Sequence, residues 1–343
     1  MTAAKTIPRW RGFNLLNYFI SEEESKMNGK YYRSDGNFSA DEIKWIADWG
    51  FNFIRIPMCY RNWLSDSKDM FVMDEIELKK IDRVIELGNA NGLHVSLNIH
   101  RAPGYCINTE ILEPFDLFKD ELPVALFNHY WETFAKRYKS ISGDMLSFDL
   151  LNEPPNPADG KMCREDYVRV MKGAIENIRK VDPDRIIMVE GLSVGTEPVL
   201  ELTDTGAVQS CRAYAPFGIS HYKAEWVQDY EWQKPVWPGI IENGKPFNQD
   251  RLEEHYKGWA DLKKNGVAVH CGEGGAYIYT PHDVVLSWFE DVLKILTKHD
   301  IGYSLWEFSG EFGILDSGRA DVQYEDWHGR KLDRAFLELL RRY

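Results

Sequence analysis

Short apolar runs rich in β-branched residues alternate about eight times along the chain with amphipathic stretches of 12 to 18 residues. Each apolar run ends in glycine, proline or a polar residue, which is typical of a strand entering a loop. Strands that alternate with helices favour a parallel sheet, because a helical crossover returns the chain to the same end of the sheet. The alternation therefore predicts an α/β fold.

The 343 residues divide into eight units of roughly 43 residues, a length that suits one (β/α)8 barrel with a few insertions. No linker, charge block or internal repeat divides the sequence, so we predict a single domain over residues 1–343. A doubly wound sheet would favour a glycine-rich phosphate turn after its first strand, and no such motif is present. The predicted strands are Arg11–Leu15, Phe51–Pro57, His94–His100, Met145–Asn152, Arg185–Glu190, Val208–Tyr214, Val267–Gly272 and Gly302–Trp306.

Four of these strands are followed by a clear helical pattern. Ser39 and Glu42 have the spacing of a capping box. Thr280 and Pro281 predict an N-cap followed by a first-turn proline. The predicted helices run from Ser39 through Trp49, from Asp74 to just before Gly92, from Cys163 to Val181 and from Thr280 to about His299.

The charge balance disfavours two classes of partner. Lys and Arg total 41 against 54 Asp and Glu, so the net charge is −13 and the pI is near 5.2. This sign is wrong for a protein that neutralises phosphates over a broad face, and we expect neither nucleic acid nor a membrane as partner. No apolar run of about 18 residues suggests a membrane span.

The five cysteines are widely spread and form no C-x-x-C pair, which favours reduced thiols over disulfides or a zinc site. The first ten residues contain no apolar core of a secretory signal, so we expect a cytoplasmic location, although a trimmed secreted protein would look the same. There is no H-x-H or H-E-x-x-H pattern, and we predict neither metal nor cofactor. A G-x-S-x-G elbow is also absent, which counts against an esterase.

Polar residues follow most of the predicted strands. In a (β/α)8 barrel, reactive residues lie at the carboxyl ends of the strands, where the eight βα loops gather. The residues at these ends are Asn14, Arg55, His100, Asn152, Glu153, Arg212, Tyr214, Glu273 and Trp306.

Two of these residues are carboxylates, each expected just past a nearly apolar strand. Glu153 and Glu273 lie 120 residues apart, which at about 40 residues per unit places them on the fourth and seventh strands, facing each other across the barrel mouth. Glycoside hydrolysis requires such a pair, one carboxyl protonated to assist the leaving oxygen and the other ionised.

Five motifs in barrel order resemble glycoside hydrolase family 5, the cellulase and β-mannanase group. The resemblance covers nearly the whole chain. The motifs are Phe53-Ile-Arg-Ile-Pro57, His100, Leu151-Asn-Glu-Pro154, Cys271-Gly-Glu273 and Leu305-Trp306.

The resemblance implies a retaining mechanism in which Glu153 is the acid/base and Glu273 the nucleophile. It implies that Asn152 bonds the sugar 2-hydroxyl and that Arg55 and Tyr214 keep Glu273 ionised and oriented. It further implies that Trp306 stacks against the sugar, while Asn14 and His100 complete the site.

One position departs from the family pattern, since Arg212 stands where the family usually has a histidine two residues before Tyr214. An arginine does not titrate near neutral pH, but it can brace Glu153 or a substrate hydroxyl. The nearest branch by resemblance acts on β-mannan and manno-oligosaccharides, on the basis of the run His100–Tyr105 and the opening Trp10–Leu16. His221 and Asn108 are candidate further substrate contacts.

Sugars stack their C–H faces on aromatic rings, so aromatic residues in loops are candidate sugar contacts. We predict that the segment after the sixth strand forms one wall of a cleft, with Tyr222, Trp226, Tyr230, Trp232 and Trp237. The same residues could instead pack an irregular loop against the barrel.

Three functions remain open. Cleavage of β-1,4-linked mannan or manno-oligosaccharides comes first. The same chemistry on β-1,4-glucan or cello-oligosaccharides, alone or together with mannan, is a close second. A non-catalytic carbohydrate-binding barrel would be expected to lack one of the two glutamates, and both are present.

Overall fold

Eight parallel strands close into a barrel in the structure, a computed structural model that describes residues 6–21, 24, 35–65, 69–108 and 112–343. Each strand is hydrogen-bonded to the next in chain order, and the last pairs with the first. The predicted (β/α)8 barrel is confirmed. The strands are β1 (Arg11–Asn14), β2 (Phe53–Cys59), β3 (His94–Arg101), β4 (Leu146–Asp149), β5 (Ile186–Glu190), β6 (Val208–Ala213), β7 (Val269–Gly274) and β8 (Gly302–Leu305).

The four predicted helices are present, and the described residues contain three further long helices in the parts of the chain where the periodicity was less clear. The connection from β5 to β6 has only a short helical turn, Leu192–Gly195, and a 3-10 helix, Leu200–Thr205. The longer helices are α1 (Ala40–Asp48), α2 (Glu75–Ala90), α3 (Glu121–Arg137), α4 (Arg164–Val181), α5 (Gln249–Lys264), α6 (His282–Lys298) and α7 (Arg334–Arg342).

The predicted N-cap of α1 is confirmed, and that of α6 is wrong. Ser39 Oγ accepts a hydrogen bond from the Glu42 amide (3.3 Å). Helix α6 begins one position later than predicted, so Pro281 is its N-cap residue. The Thr280 hydroxyl instead donates to the carbonyl of Ile219 (2.6 Å), a contact between loops that the local sequence pattern does not reveal.

The barrel interior changes from apolar to charged along its axis. Trp10, Phe53 and Met188 belong to a separate buried apolar cluster. Because side chains alternate with a period of two along a strand, Glu190 points to the same side as Met188, one layer nearer the carboxyl end of β5. The charged layer therefore lies directly beneath the βα loops.

Strand register brings the principal polar residues together. Asn14 of β1 is the in-register partner of Arg55 on β2. Between β6 and β7 the register shifts after Cys211, so Gly272 is the extra residue and Arg212 lies beside Glu273. Glu273 was expected just past its strand but lies within β7, because the irregular pairing continues to Gly274. Such bulges are common next to active sites.

No helix within the described ranges is long and apolar enough to cross a membrane. Among these same residues, no group of three or more His, Cys, Asp or Glu side chains is placed to bind a metal ion. Residues 1–5, which form part of the amino-terminal stretch used for the localisation prediction, lie outside the described residues.

Candidate active site

Arg55 is the centre of a buried polar cluster at the carboxyl ends of the strands. Its guanidinium donates from Nε to Asp149 Oδ2 (2.7 Å) and from Nη1 to Glu273 Oε1 (2.6 Å). Its Nη2 also approaches Glu190 Oε1 (3.3 Å). All four residues are at least 95% buried, and charges removed from water to this degree require close, well-directed partners. Arg55 therefore links carboxylates from β4, β5 and β7.

Two asparagines hold this arginine in place. Asn14 Oδ1 accepts from Arg55 Nη1 (3.0 Å), while its Nδ2 donates to two backbone carbonyls (3.0 and 3.2 Å). Asn152 Oδ1 accepts from Nη2 of both Arg55 (2.9 Å) and Arg212 (2.8 Å). The side chains of Asn14 and Asn152 are buried beneath the cavity described below and do not line it.

Arg212, the residue that departs from the family pattern, touches both predicted catalytic glutamates. Its Nε donates to Glu153 Oε1 (3.0 Å), and its Nη2 donates to Glu273 Oε1 (3.2 Å). Its Nη1 pairs with Glu190 Oε2 (2.6 Å). One planar guanidinium thus joins three carboxylates, and the expected contact with Glu153 is present.

Glu153 lies in the loop directly after β4, in a strained backbone position. Its φ is 44°, in the left-handed region that side chains other than glycine rarely adopt, and Pro154 follows it. The Tyr105 hydroxyl donates to its backbone carbonyl and helps to hold this turn. Burial, and then the nearby Glu273 carboxylate, raise the pKa of Glu153 to about 7. A carboxyl with this pKa is protonated in a large fraction of molecules at neutral pH, as a general acid must be.

Glu273 is bound on both carboxylate oxygens. Oε1 accepts from Arg55 and Arg212, and Oε2 accepts from the Tyr214 hydroxyl (3.2 Å). Burial, and then the Glu273 charge, raise the pKa of Tyr214 well above its usual value, so this phenol remains a proton donor. Two cations and a hydroxyl donor thus surround this carboxylate.

Sequence reasoning missed Asp149 and Glu190. Both are fully buried at the ends of β4 and β5, inside the barrel. A charged residue that ends a short apolar strand was the available signal, and Glu190 was even the last residue of a predicted strand. Its importance depends on the approach of Arg55 and Arg212 from other strands, which the local sequence does not contain.

A cavity of about 870 Å³ opens above the cluster. Glu153 and Glu273 both line it, together with Trp306, His100 and Arg212. This volume lies within the range of small-molecule sites, and both carboxylates can reach one bound molecule. Asn108, Tyr214 and His221 also line the cavity. Arg55 and Asn152 lie beneath it in contact with lining residues, whereas Asn14 contacts Arg55.

The aromatic and imidazole rings of the cavity pack against one another. Trp306 stacks on His100 with ring centroids 5.4 Å apart and contacts Phe19 edge-on (5.3 Å). Burial, and then the Arg55 charge, lower the pKa of His100 well below its usual value, so the ring is neutral. Burial likewise lowers the pKa of His221 to about 3, and its Nδ1 lies 2.8 Å from Ser220 Oγ.

The segment of residues 221–247 only partly forms the predicted cleft wall. Trp226 lines the cavity and contacts Phe312 on the opposite loop (6.2 Å between centroids). Tyr230 and Trp232 pack on each other instead (4.4 Å), and Trp237 Nε1 donates to Asp291 of α6 (3.0 Å). The prediction holds for Trp226, whereas Tyr230, Trp232 and Trp237 pack the loop.

Comparison with known proteins identifies the family. Residues 16–312 match the family model described as cellulase, glycosyl hydrolase family 5. The chain belongs to glycoside hydrolase family 5. Endoglucanase C from Acetivibrio thermocellus is 25% identical over 310 residues, which cover 83% of this chain and 88% of that protein. A solved glycoside hydrolase is 40% identical with a TM-score of 0.90, and the match covers 97% of this chain and 99% of that one.

A third similar protein is the Thermotoga maritima endoglucanase Cel5A, solved with mannotriose. It is 23% identical with a TM-score of 0.73, and the match covers 97% of each chain. This likeness extends the agreement in fold over nearly the whole barrel. The non-catalytic alternative is set aside, because the family assignment and the endoglucanase relative identify the chain as a glycoside hydrolase.

The perturbed acidity of Glu153 predicts a pH dependence for this family 5 hydrolase. A general acid must be protonated in the free enzyme, so kcat/KM is expected to fall as the pH rises through about 7. The measurement is a pH profile of kcat/KM on a substrate with a poor leaving group, with Glu153→Gln as the control that lacks the titrating carboxyl. A profile without an alkaline limb near pH 7 would contradict the assignment of Glu153.

Proposed function

We propose that this enzyme hydrolyses β-1,4-linked hexose chains with retention of configuration, using Glu153 as acid/base and Glu273 as nucleophile. The observation that carries the proposal is that both glutamates line one cavity and share the Arg212 guanidinium, while their surroundings differ. Burial favours a proton on Glu153, whereas Glu273 accepts hydrogen bonds from two guanidinium groups and one hydroxyl. Two carboxyls with separated acidities are the requirement of this chemistry.

In the first step Glu273 attacks the anomeric carbon while Glu153 gives its proton to the departing glycosidic oxygen. A glycosyl ester forms on Glu273, and the leaving sugar departs with a new hydroxyl group. In the second step Glu153 takes a proton from water, the resulting hydroxide attacks the anomeric carbon, and Glu273 leaves as a carboxylate. Two inversions return the original configuration.

The shared arginine suits both steps. In the free enzyme the negative charge of the pair is on Glu273, and in the glycosyl intermediate it is on Glu153, which has lost its proton. Arg212 contacts one oxygen of each, so it stabilises the charge in either position. Loss of the Glu273 charge on esterification removes one cause of the raised Glu153 pKa, which turns this group from an acid into a base.

For the substrate, the sequence resemblance favours β-mannan or manno-oligosaccharides. The Thermotoga maritima Cel5A barrel, which shares this fold, has been solved with mannotriose, and this supports the proposal. A second candidate is β-1,4-glucan, which the name of the Acetivibrio endoglucanase favours. The two substrates differ at the 2-hydroxyl, axial in mannose and equatorial in glucose.

The test is reducing-sugar release from linear β-mannan, glucomannan and carboxymethyl-cellulose in parallel, with the anomer of the first product followed by NMR. We expect mannan to be cleaved fastest and the β-anomer to appear first. Hydrolysis of every substrate is expected to vanish in both Glu153→Ala and Glu273→Ala. Cleavage of the cellulosic polymer alone would replace mannan by glucan as the substrate. Initial release of the α-anomer would overturn the retaining mechanism.

A further inference from the structure

Glu190 is buried beneath the proposed catalytic glutamates and does not line the cavity. Its two carboxylate oxygens approach different arginines, Oε2 to Arg212 Nη1 (2.6 Å) and Oε1 to Arg55 Nη2 (3.3 Å). Because the substrate cannot reach it, Glu190 can act on the reaction only indirectly, and its closest charged neighbours are these two guanidinium groups.

The nitrogen atoms of Arg212 divide between two sides. Nε and Nη2 face Glu153, Asn152 and Glu273, which belong to the reacting layer. Nη1 faces away from that layer, towards Glu190, the Ser210 hydroxyl (3.1 Å) and a backbone carbonyl (3.2 Å). Since the guanidinium is planar and rigid, fixing Nη1 also fixes the directions of Nε and Nη2.

The surrounding backbone provides room for this long side chain. A Cβ atom at Gly195 would lie 2.6 Å from Arg212 Cγ, and one at Gly272 would lie 3.0 Å from Arg212 Nη1. Gly195 also has a φ of 73°, which favours glycine. Gly272 is the extra residue in the β6–β7 register shift that places Arg212 beside Glu273. The site is thus shaped around an arginine, and the shorter imidazole of histidine would leave Glu190 without this partner.

The charged groups around Glu190 also favour an arginine, rather than a histidine, at position 212. The ionisable groups that face the Glu190 carboxyl are Arg55 of β2, Asp149 of β4, Arg212 of β6 and Glu273 of β7. Burial raises the pKa of this carboxyl well above its usual value, and the Arg212 charge is the strongest influence that opposes the shift. From the helix layer, the Tyr167 hydroxyl of α4 donates to the Glu190 backbone carbonyl (2.7 Å). Removing Arg212 would leave three neighbouring carboxylates with Arg55 as their remaining cation. Buried charges left without partners in this way are strongly unfavourable.

We propose that Glu190 is a positioning residue that acts through Arg212, fixing the guanidinium between Glu153 and Glu273, and that the two residues form one unit replacing the histidine usual in the family. The proposal rests on the proposed function, since it assumes that Glu153 and Glu273 carry out the reaction. It implies that Arg212→His, which restores the histidine usual in the family, does not give an active enzyme as long as Glu190 is retained.

The experiment is a double-mutant cycle with Glu190→Gln, Arg212→His and the double variant. For each, kcat/KM is measured on 2,4-dinitrophenyl and phenyl β-cellobiosides, with the β-mannobiosides in parallel, and denaturant unfolding is measured alongside. The phenyl leaving group depends on the acid Glu153, whereas the dinitrophenyl group leaves with little assistance. Glu176→Gln, on the exposed side of α4, is the matched control with the same chemical change.

We expect Glu190→Gln to lower kcat/KM on the phenyl glycoside by roughly 10- to 100-fold, and by clearly less on the dinitrophenyl glycoside. Arg212→His is expected to lose more, and the double variant to be no worse than Arg212→His, because the two residues act as one unit. Losses that multiply, or a Glu190→Gln enzyme within two-fold of wild type on the phenyl glycoside, would overturn the proposal. Equal losses on both leaving groups, together with a matching loss of folded protein in the unfolding curves, would reduce Glu190 to a structural residue and overturn it as well.

The unfolding data separate this proposal from the proposed function. Coupling between Glu190 and Arg212 is also expected in the unfolding equilibrium, at about 10-fold or more, whether or not the chosen glycosides are cleaved. If the wild type cleaves none of the glycosides, the proposed function fails while this coupling still tests the unit. Independent effects of the two substitutions on unfolding would overturn the unit itself.

Discussion

Replacing Glu273 with alanine is expected to lower kcat/KM by roughly 10⁴- to 10⁶-fold, the loss typical of removing a catalytic nucleophile. The substitution removes the group that lies among Arg55, Arg212 and Tyr214 and that attacks the anomeric carbon in the proposed mechanism. Residual turnover is measured on an activated aryl glycoside, because such a substrate gives the greatest sensitivity.

Addition of azide distinguishes the roles of the two glutamates. In Glu273→Ala the small anion can enter the vacated space and attack from the same face, giving an α-glycosyl azide by a single inversion. In Glu153→Ala, with an activated leaving group, the ester on Glu273 still forms, and azide attacks it to give the β-glycosyl azide. The reverse pairing of product and variant would exchange the two assignments.

The structure adds a control to this experiment. Glu273 is a buried anion that contacts two arginines, so its removal also perturbs the charge balance and costs stability. Glu273→Gln retains the shape and a hydrogen-bond acceptor, and it is expected to fold better than the alanine variant while being equally unable to form the ester. Unfolding curves for both variants separate a loss of chemistry from a loss of folded protein. Substantial turnover by a well-folded Glu273→Gln enzyme would contradict the role of the nucleophile.

The barrel was predictable because its signals are local. A β-branched run followed by a polar residue marks the end of a strand, and repetition of that signal at about 40-residue intervals marks the barrel. The positions of Glu153 and Glu273 then follow from topology, since all eight strand ends face the same side. The N-cap of α6 was missed because Thr280 is engaged by Ile219, which is distant in sequence.

The parts of the site that were missed depend on contacts between strands. Arg212 was recognised as unusual from the sequence, but its partner Glu190 precedes it by 22 residues on another strand. The register shift that brings Arg212 beside Glu273 follows from pairing between β6 and β7, and a single sequence contains no record of pairing. The space that Gly195 provides is evident only when the Arg212 side chain is in place.

The second large effect is expected at Arg55. Arg55→Ala would leave Asp149, Glu190 and Glu273 close together without their central cation. Breaking a buried ion pair by removing one partner typically costs about 3–5 kcal/mol, and Arg55 serves three carboxylates. We therefore expect the free energy of unfolding to fall by at least about 3 kcal/mol and activity to fall to the detection limit. Denaturant unfolding at neutral pH and kcat/KM measure the two effects.

Arg55→Lys separates the charge of this residue from its geometry. A lysine ammonium keeps the cation, but it cannot reproduce the planar arrangement in which Nε binds Asp149 while Nη1 and Nη2 reach other strands. Part of the stability lost in Arg55→Ala should return in Arg55→Lys. Activity should remain at least about 100-fold below wild type, because the guanidinium hydrogen bond that orients Glu273 is absent. Because carboxylates can lower their repulsion by taking up protons, Arg55→Ala should also regain stability as the pH falls. A lysine variant that restores activity fully would mean that the charge of Arg55, rather than its position among three strands, is what the site requires.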